Sequence, residues 1–275
     1  MRKRRKGVDM KILVTFALDN EFAPWRALRK FRPSRWGPVD VFLSDIGACE
    51  LAVILTGAGP RQAALAISKM IRQDPDFATI CISSGFAGAL RPEYAVEQIV
   101  AARTVVSEDR PETTGRDASE TSPAIDGSSA LISFASANGA TVVEKFYTAG
   151  RVVGSALEKN RLGGIADAIE MESYEILRGA ASVGIPAIAI RAVSDSSNED
   201  LPFDLNGVFT DEGRVSIPRV IGQLAQHPQS LPGLVRLGQN SRAAAESLAR
   251  FLESYAGVLA SRTGQLHSDV VGAIR

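Results

Sequence analysis

A three-layer αβα fold with a long C-terminal helix is what this 275-residue sequence predicts, on three observations. Short apolar runs rich in strand formers recur between residues 11 and 193. They alternate with segments of helical spacing. Most of the runs end in Gly-rich or acidic loops, as strands do when they feed helices that cover a sheet. In such a sheet ligands sit beyond the C-terminal ends of the strands. The loops at 17–24, 57–61, 84–89, 149–154, 170–173 and 194–206 are therefore where a site is expected.

Taken in order, residues 11–17 (KILVTFA) form the first strand, and 39–43 and 52–56 (AVILT) read the same way. Gly57-Ala58-Gly59-Pro60 breaks the third run, and 61–72 then carries helical spacing through Ala64, Ile67, Ser68 and Ile71. Residues 79–83 (TICIS) are a strand that ends in the small-residue loop Ser84-Gly85-Phe86-Ala87-Gly88-Ala89. A further strand covers 98–106, and 110–129 is a polar surface excursion dominated by Pro, Gly, Asp, Ser and Thr. Beyond it come a helix over 130–137, a strand over 141–149, a short helix over 155–162 and a strand over 166–171. A helix over 173–183, stopped by Gly184 and Pro186, leads into a strand over 187–193. From Pro218 onward Leu234, Leu237, Ala244, Leu248, Phe251, Leu252, Tyr255 and Leu259 recur at helical spacing. They predict one long amphipathic helix, packed on the sheet or on a second subunit.

Bulk composition narrows the function. With 45% hydrophobic and 23% charged residues, the chain has enough material for one α/β domain with a sizeable core. We expect that domain over 10–275, with 217–275 as a helical extension and 1–9 (starting MRKRRK) as a basic, disordered leader. The 31 basic and 31 acidic side chains cancel, which argues against nucleic acid as a partner. No apolar run reaches the ~18 residues of a spanning helix, and no apolar stretch follows the basic start, so a cytoplasmic protein is expected. Cys49 and Cys81 suit a reducing compartment and offer no metal spacing. The only histidines, His227 and His267, sit in polar surroundings, so neither a histidine metal site nor a Ser-His-Asp triad is expected.

The chemistry-bearing pieces lie in the loops. Ala17-Leu18-Asp19-Asn20-Glu21-Phe22 follows the first strand, where a carboxylate could orient and deprotonate a water or simply start a helix. Gly57-Ala58-Gly59 and Gly85-Phe86-Ala87-Gly88 let a ligand approach the backbone and its N–H donors, though neither fits a dinucleotide or phosphate-loop pattern. Glu172 can accept hydrogen bonds from two adjacent sugar hydroxyls, with Met171 as a soft apolar wall beside the ribose; it is equally placed to start a helix. Asp195, after Arg191-Ala192-Val193-Ser194, can neutralise negative charge developing on a purine as its bond to ribose breaks, or can serve as a loop acid. Asp195, Glu199, Asp200 and Asp204 do not match calcium-loop spacing, and no metal or organic cofactor is expected.

Together these pieces resemble the nucleoside phosphorylase superfamily, and within it the 5′-methylthioadenosine/S-adenosylhomocysteine nucleosidase branch. Ala17-Leu18-Asp19-Asn20-Glu21 resembles that branch's Ala-Met-Glu-Glu-Glu, Gly57-Ala58-Gly59 its Gly-Ile-Gly, and Gly85-Phe86-Ala87-Gly88 its Gly-Ser-Ala-Gly. Glu170-Met171-Glu172 matches Glu-Met-Glu, and Arg191-Ala192-Val193-Ser194-Asp195 resembles Arg-Ala-Ile-Ser-Asp, all in family order. The resemblance implies a twisted mixed sheet flanked by helices and assembled as a homo-oligomer. It implies a purine nucleoside substrate, with Asp195 as general acid at the base, Glu172 on the ribose hydroxyls and Glu21 as water activator. Ala87 and Gly88, with Phe86 and Ser194 beside them, would lie against ribose or base.

Departures from the family pattern are informative. Phe86 replaces a small Ser, losing a hydroxyl and narrowing the pocket. Val153 stands where the nucleosidases stack a Phe on adenine. Gly150-Arg151-Val152-Val153, the loop Leu201-Pro202-Phe203-Asp204-Leu205-Asn206 and the Leu-rich tail look more like the hopanoid-associated phosphorylases, a group linked to releasing adenine from adenosylhopane. Phosphorylases of the superfamily bind phosphate through Arg residues, one of them in an Arg-x-Gly-Ser/Thr segment. Here that segment reads Ser83-Ser84-Gly85-Phe86, and Glu21 would repel phosphate, so water is the expected acceptor. Arg26 and Arg61 keep phosphorolysis open, and a nucleoside-binding homologue without catalysis is the reading from another class.

Overall fold

The computed structural model describes residues 10–108 and 123–262. The expected leader, most of the polar excursion and the stretch holding His267 lie outside the described residues. Ten strands form one mixed sheet: β1 (Met10–Phe16), β2 (Arg32–Trp36), β3 (Val39–Ile46), β4 (Cys49–Leu55), β5 (Ile80–Ala89), β6 (Ile99–Ser107), β7 (Ile125–Asp126), β8 (Thr141–Thr148), β9 (Ala168–Glu170) and β10 (Ala187–Asp195). The order is β10-β6-β8-β9-β5-β1-β4-β3-β2, with β7 paired to β6. Because β10 also pairs with β5, strands β5, β10, β6, β8 and β9 close into a ring. The β1/β4, β1/β5, β5/β10, β6/β8 and β8/β9 pairs are parallel.

Among the described residues seven α-helices accompany the sheet: α1 (Asp19–Leu28), α2 (Pro60–Gln73), α3 (Ser129–Ala137), α4 (Ala156–Leu162), α5 (Ser173–Ser182), α6 (Ile217–Gln226) and α7 (Leu231–Ser261). On one face Phe22 and Trp25 of α1, Leu131 and Ile132 of α3, and the Ala244-to-Leu259 half of α7 pack on β1 and β10. On the other, Ile67 and Met70 of α2 and Ile176, Leu177 and Ala180 of α5 form a second core. These are the three layers that alternating strands and helices dictate. None of the described helices is long and apolar enough to cross a membrane.

α7 is tied down by polar contacts as well as apolar ones. Trp25 Nε1 and the Arg29 fork donate to Glu253 (2.8 Å, 2.9 Å and 2.6 Å), and Tyr255 Oη donates to the Leu131 carbonyl at 2.7 Å.

The expected long C-terminal helix is α7, which carries every residue from Leu234 to Leu259 that the spacing named; α6 precedes it, set off by His227 (φ −130°, ψ 63°) and a 3-10 turn over Pro228–Ser230. Three expectations need correction. The segment 84–89 is no loop: β5 runs through it to Ala89. The stretch 17–24 is mostly helix, since α1 starts at Asp19. The strand β2 was not expected, because its RPSRW sequence is polar; it survives as an edge strand, where Pro33 leaves no inner hydrogen bond unmade.

Leu252 of α7 is 1% exposed at the centre of the first core. Leu252→Ala is expected to cost about 2–5 kcal/mol. Thermal unfolding should show it as a Tm lower by about 2–4 °C for each kcal/mol.

Candidate active site

The floor of the site is the end of β5, and two glycines make it possible. Gly85 sits at φ +144°, and a side-chain carbon there would lie 2.7 Å from Glu21 Oε1. One at Gly88 would lie 2.9 Å from Asp195 Oδ2. Only backbone can pass this close to both acids. Gly88 is held beside Asp195 by register: β10 pairs with β5 through Val193 and Ala87, slips at a bulge, and resumes with Asp195 opposite Gly88. From Gly85 to Gly88 the strand advances roughly 10 Å, which sets the separation of the two acids along it.

Glu21 lies in the first turn of α1 but is folded inward, 5% exposed. Its Oε2 accepts from the amides of Ala17 and Leu18, and its Oε1 from the amide of Phe86, each at 2.9 Å. Burial raises its pKa above the ordinary carboxylate range, against the pull of those amides and of the Arg191 guanidinium.

A charged cluster behind the cavity organises a third acid. Arg191 of β10 and Glu170 of β9 are both fully buried and meet at 2.5 Å. Glu170 also accepts from Thr148 Oγ1 and from the amides of Glu172 (2.9 Å) and Ser173 (2.7 Å), which anchors the start of α5. Burial alone would raise the pKa of Glu170, but Arg191 and these donors hold it below the usual range. Glu172, two residues on at the N-cap of α5, accepts from the Gly59 amide at 2.8 Å and stands 3.7 Å from Arg191. Burial first, and the charges of Glu170 and Glu21 next, push its pKa up to about 8. It therefore carries a proton at neutral pH, and can both give and take hydrogen bonds.

Asp195 closes the other end. Oδ1 accepts from Ser194 Oγ at 2.8 Å, and Oδ2 from Lys159 Nζ at 2.5 Å. Lys159, on α4, is completely buried and also donates to the carbonyls of Ser196 (2.9 Å) and Glu199 (3.2 Å).

One cavity of about 680 Å³ brings the three acids together. Each residue expected to act on the substrate borders it: Glu21, Phe86, Ala87, Gly88, Val153, Met171, Glu172, Ser194 and Asp195. Its outer half is apolar, walled by Leu201, Phe203, Val208, Val220, Leu234 and Leu237. The covering loop is fastened to the Arg151–Gly154 stretch: Asn206 accepts from the Val152 amide (2.7 Å) and donates to its carbonyl (3.0 Å), and Leu201 N donates to the Gly154 carbonyl (2.8 Å). Neither phosphate candidate reaches this cavity. Arg26 is forked onto Asp19 and stacked over Phe22, while Arg61 lines an adjoining 240 Å³ pocket that shares Ala58, Arg151, Met171 and Phe209 with it.

Sequence reasoning missed Lys159. Its one signal was i±3 spacing with Ala156 and Leu162, which are half-buried on the same stripe of α4. Thr148 and Asn206 left none.

The family model of the phosphorylase superfamily matches residues 11–224. No curated protein matches the chain. Among solved structures, the 5′-methylthioadenosine/S-adenosyl homocysteine nucleosidase of Helicobacter pylori is similar at 20% identity and TM-score 0.67, covering 91% of this chain and 99% of its own. The Campylobacter jejuni nucleosidase of the same name is 18% identical at TM-score 0.67, covering 90% and 99%. Futalosine hydrolase from Helicobacter pylori is 19% identical at TM-score 0.66, covering 90% and 97%. At these identities the structures establish a shared fold. The family match, running over most of the length, establishes that this chain belongs to the phosphorylase superfamily.

Proposed function

We propose that the protein hydrolyses the N-glycosidic bond of a purine nucleoside. The observation that carries this reading is the convergence of three acids, Glu21, Glu172 and Asp195, on one cavity, with the β5 backbone as a floor between two of them. Asp195, at the far end of β5, is the general acid at the base. As the C1′–N9 bond breaks, its electron pair passes to the purine, and a proton from Asp195 at N7 neutralises it. Glu172 holds the ribose hydroxyls against Met171. Glu21 takes the proton of the attacking water, and its raised pKa makes it a stronger base than an ordinary carboxylate.

Water is favoured over phosphate because Glu21 stands in the cavity and the phosphorylases' Arg-x-Gly-Ser/Thr segment is Ser83-Ser84-Gly85-Phe86 here, while Arg151 and Arg242, which also border the cavity, are paired with Glu158 and Glu246. The similar solved proteins are named nucleosidases and a hydrolase, and one was solved with 5′-methylthioadenosine in its active site. The apolar outer half supports a second element of the reading, a bulky apolar 5′ substituent, in line with the resemblance to the hopanoid-associated group.

Incubation with adenosine and a series of 5′-alkylthioadenosines should release adenine and free ribose sugar whether or not phosphate is present, faster as the alkyl chain lengthens. Sugar 1-phosphate formed only with phosphate would make the enzyme a phosphorylase. Asp195→Asn should lower kcat by about 10²–10⁴-fold while nucleoside binding survives. Binding with unchanged turnover would remove Asp195 from the chemistry.

The raised pKa of Glu172 also predicts a pH signature. Between its ordinary 4.5 and about 8 the folded protein binds more protons than the unfolded chain, so stability falls as pH rises across that window. Glu172→Gln should therefore melt above the parent protein beyond about pH 8, by about 2–4 °C per kcal/mol, and lose the advantage near pH 4. The same variant should raise KM for the nucleoside.

A further inference from the structure

We propose that Lys159 is a positioning residue for Asp195 and the source of the proton that the leaving base takes. The proposal rests on the ribosidase reading. Three observations carry it. Lys159 is 0% exposed, an expensive place for an ammonium unless it is paired. Its three N–H groups are all spent at the site: on Asp195 Oδ2 at 2.5 Å, and on the Ser196 and Glu199 carbonyls at 2.9 Å and 3.2 Å, which fix the chain just past Asp195. Finally, an ammonium has donors and no lone pair, so the contact at Oδ2 has one direction.

Asp195 thus faces the cavity with a proton donor directly behind it. Its second oxygen is occupied by Ser194 Oγ, which sets the plane of the carboxyl. As the C1′–N9 bond breaks, its electron pair goes to the purine, and the proton that N7 takes passes from Lys159 Nζ through Asp195, which is a carboxylate before and after. Lys159 ends as a neutral amine. The water oxygen bonds to C1′, and its proton goes to Glu21. When products leave, solvent returns a proton to Lys159 and takes one from Glu21.

A structural lysine and a proton source differ in one readout, dependence on the leaving group. Lys159→Met, Lys159→Gln and Lys159→Arg are compared with the parent protein on a purine nucleoside and on 4-nitrophenyl riboside, whose phenolate departs without a proton. Circular dichroism and thermal melts establish which variants fold. In folded Lys159→Met or Lys159→Gln, kcat on the purine nucleoside should fall by about 10²-fold or more. Loss on the nitrophenyl riboside should be several-fold at most, and a folded Lys159→Arg, which keeps the charge but cannot release a proton, should stay impaired on the purine nucleoside. Equal losses on both substrates, or no loss on either, overturn the proposal. Failure of all three variants to fold overturns it in favour of a purely structural lysine. If the parent protein cleaves neither substrate, the ribosidase reading fails and this proposal with it. Cleavage of both with equal variant losses fails the lysine proposal alone.

Discussion

The buried Arg191–Glu170 pair is the constraint on which the rest of the site depends. Two fully desolvated charges at 2.5 Å are tolerable only because Glu170 is saturated with further donors, Thr148 Oγ1 and the amides of Glu172 and Ser173. Losing one member of such a pair costs about 3–5 kcal/mol, since the other is left charged and dry. The consequences reach three elements. β9 is locked against β10 across the ring, the first turn of α5 is fixed by the two amides, and Glu172 is thereby aimed forward. Arg191 then sits near enough to Glu172 and Glu21 to offset part of the repulsion between acids gathered in a small volume.

Much of this was legible in the sequence, for a physical reason. Strands β1, β4, β5 and β10 are covered on both faces, so they appear as near-continuous apolar runs and mark where each strand ends. Glu21, Glu172 and Asp195 stand at or just past such ends, and the geometry of an αβα sheet brings those ends together. What was not legible depends on partners remote in sequence. Lys159 looks like an ordinary helix-surface lysine until Asp195, 36 residues on, is placed against it. Gly85 to Ala89 read as a loop because glycine and alanine carry little strand signal, yet closing the ring requires those residues to remain extended. The apolar period of 234–259 was enough to mark α7, because that period is the stripe the helix buries.

The helical tail plays two roles along its length. From Ala244 onward α7 belongs to the core, stacked on β1 and β10 and bonded to α1 and α3. Ahead of Ala244 it is largely exposed, and with α6, which has no buried residue, it supplies Val220, Leu234 and Leu237 to the outer half of the cavity. One end is thus held by packing and the other is free to vary with the ligand. Such division lets a family keep the acids at the strand ends while altering what surrounds the far end of a substrate.

Charge balance explains why the acids can coexist. Glu21, Glu170, Glu172 and Asp195 face two buried cations, Arg191 and Lys159, so with every carboxylate ionised the pocket would be strongly negative. Raising the pKa of Glu172 to about 8 relieves this by leaving a proton there at neutral pH. With that proton in place, Arg191 beside Glu170 and Lys159 beside Asp195 neutralise two of the remaining carboxylates, and Glu21 is left to the three amides of Ala17, Leu18 and Phe86, so each acid has its own partner in a small volume.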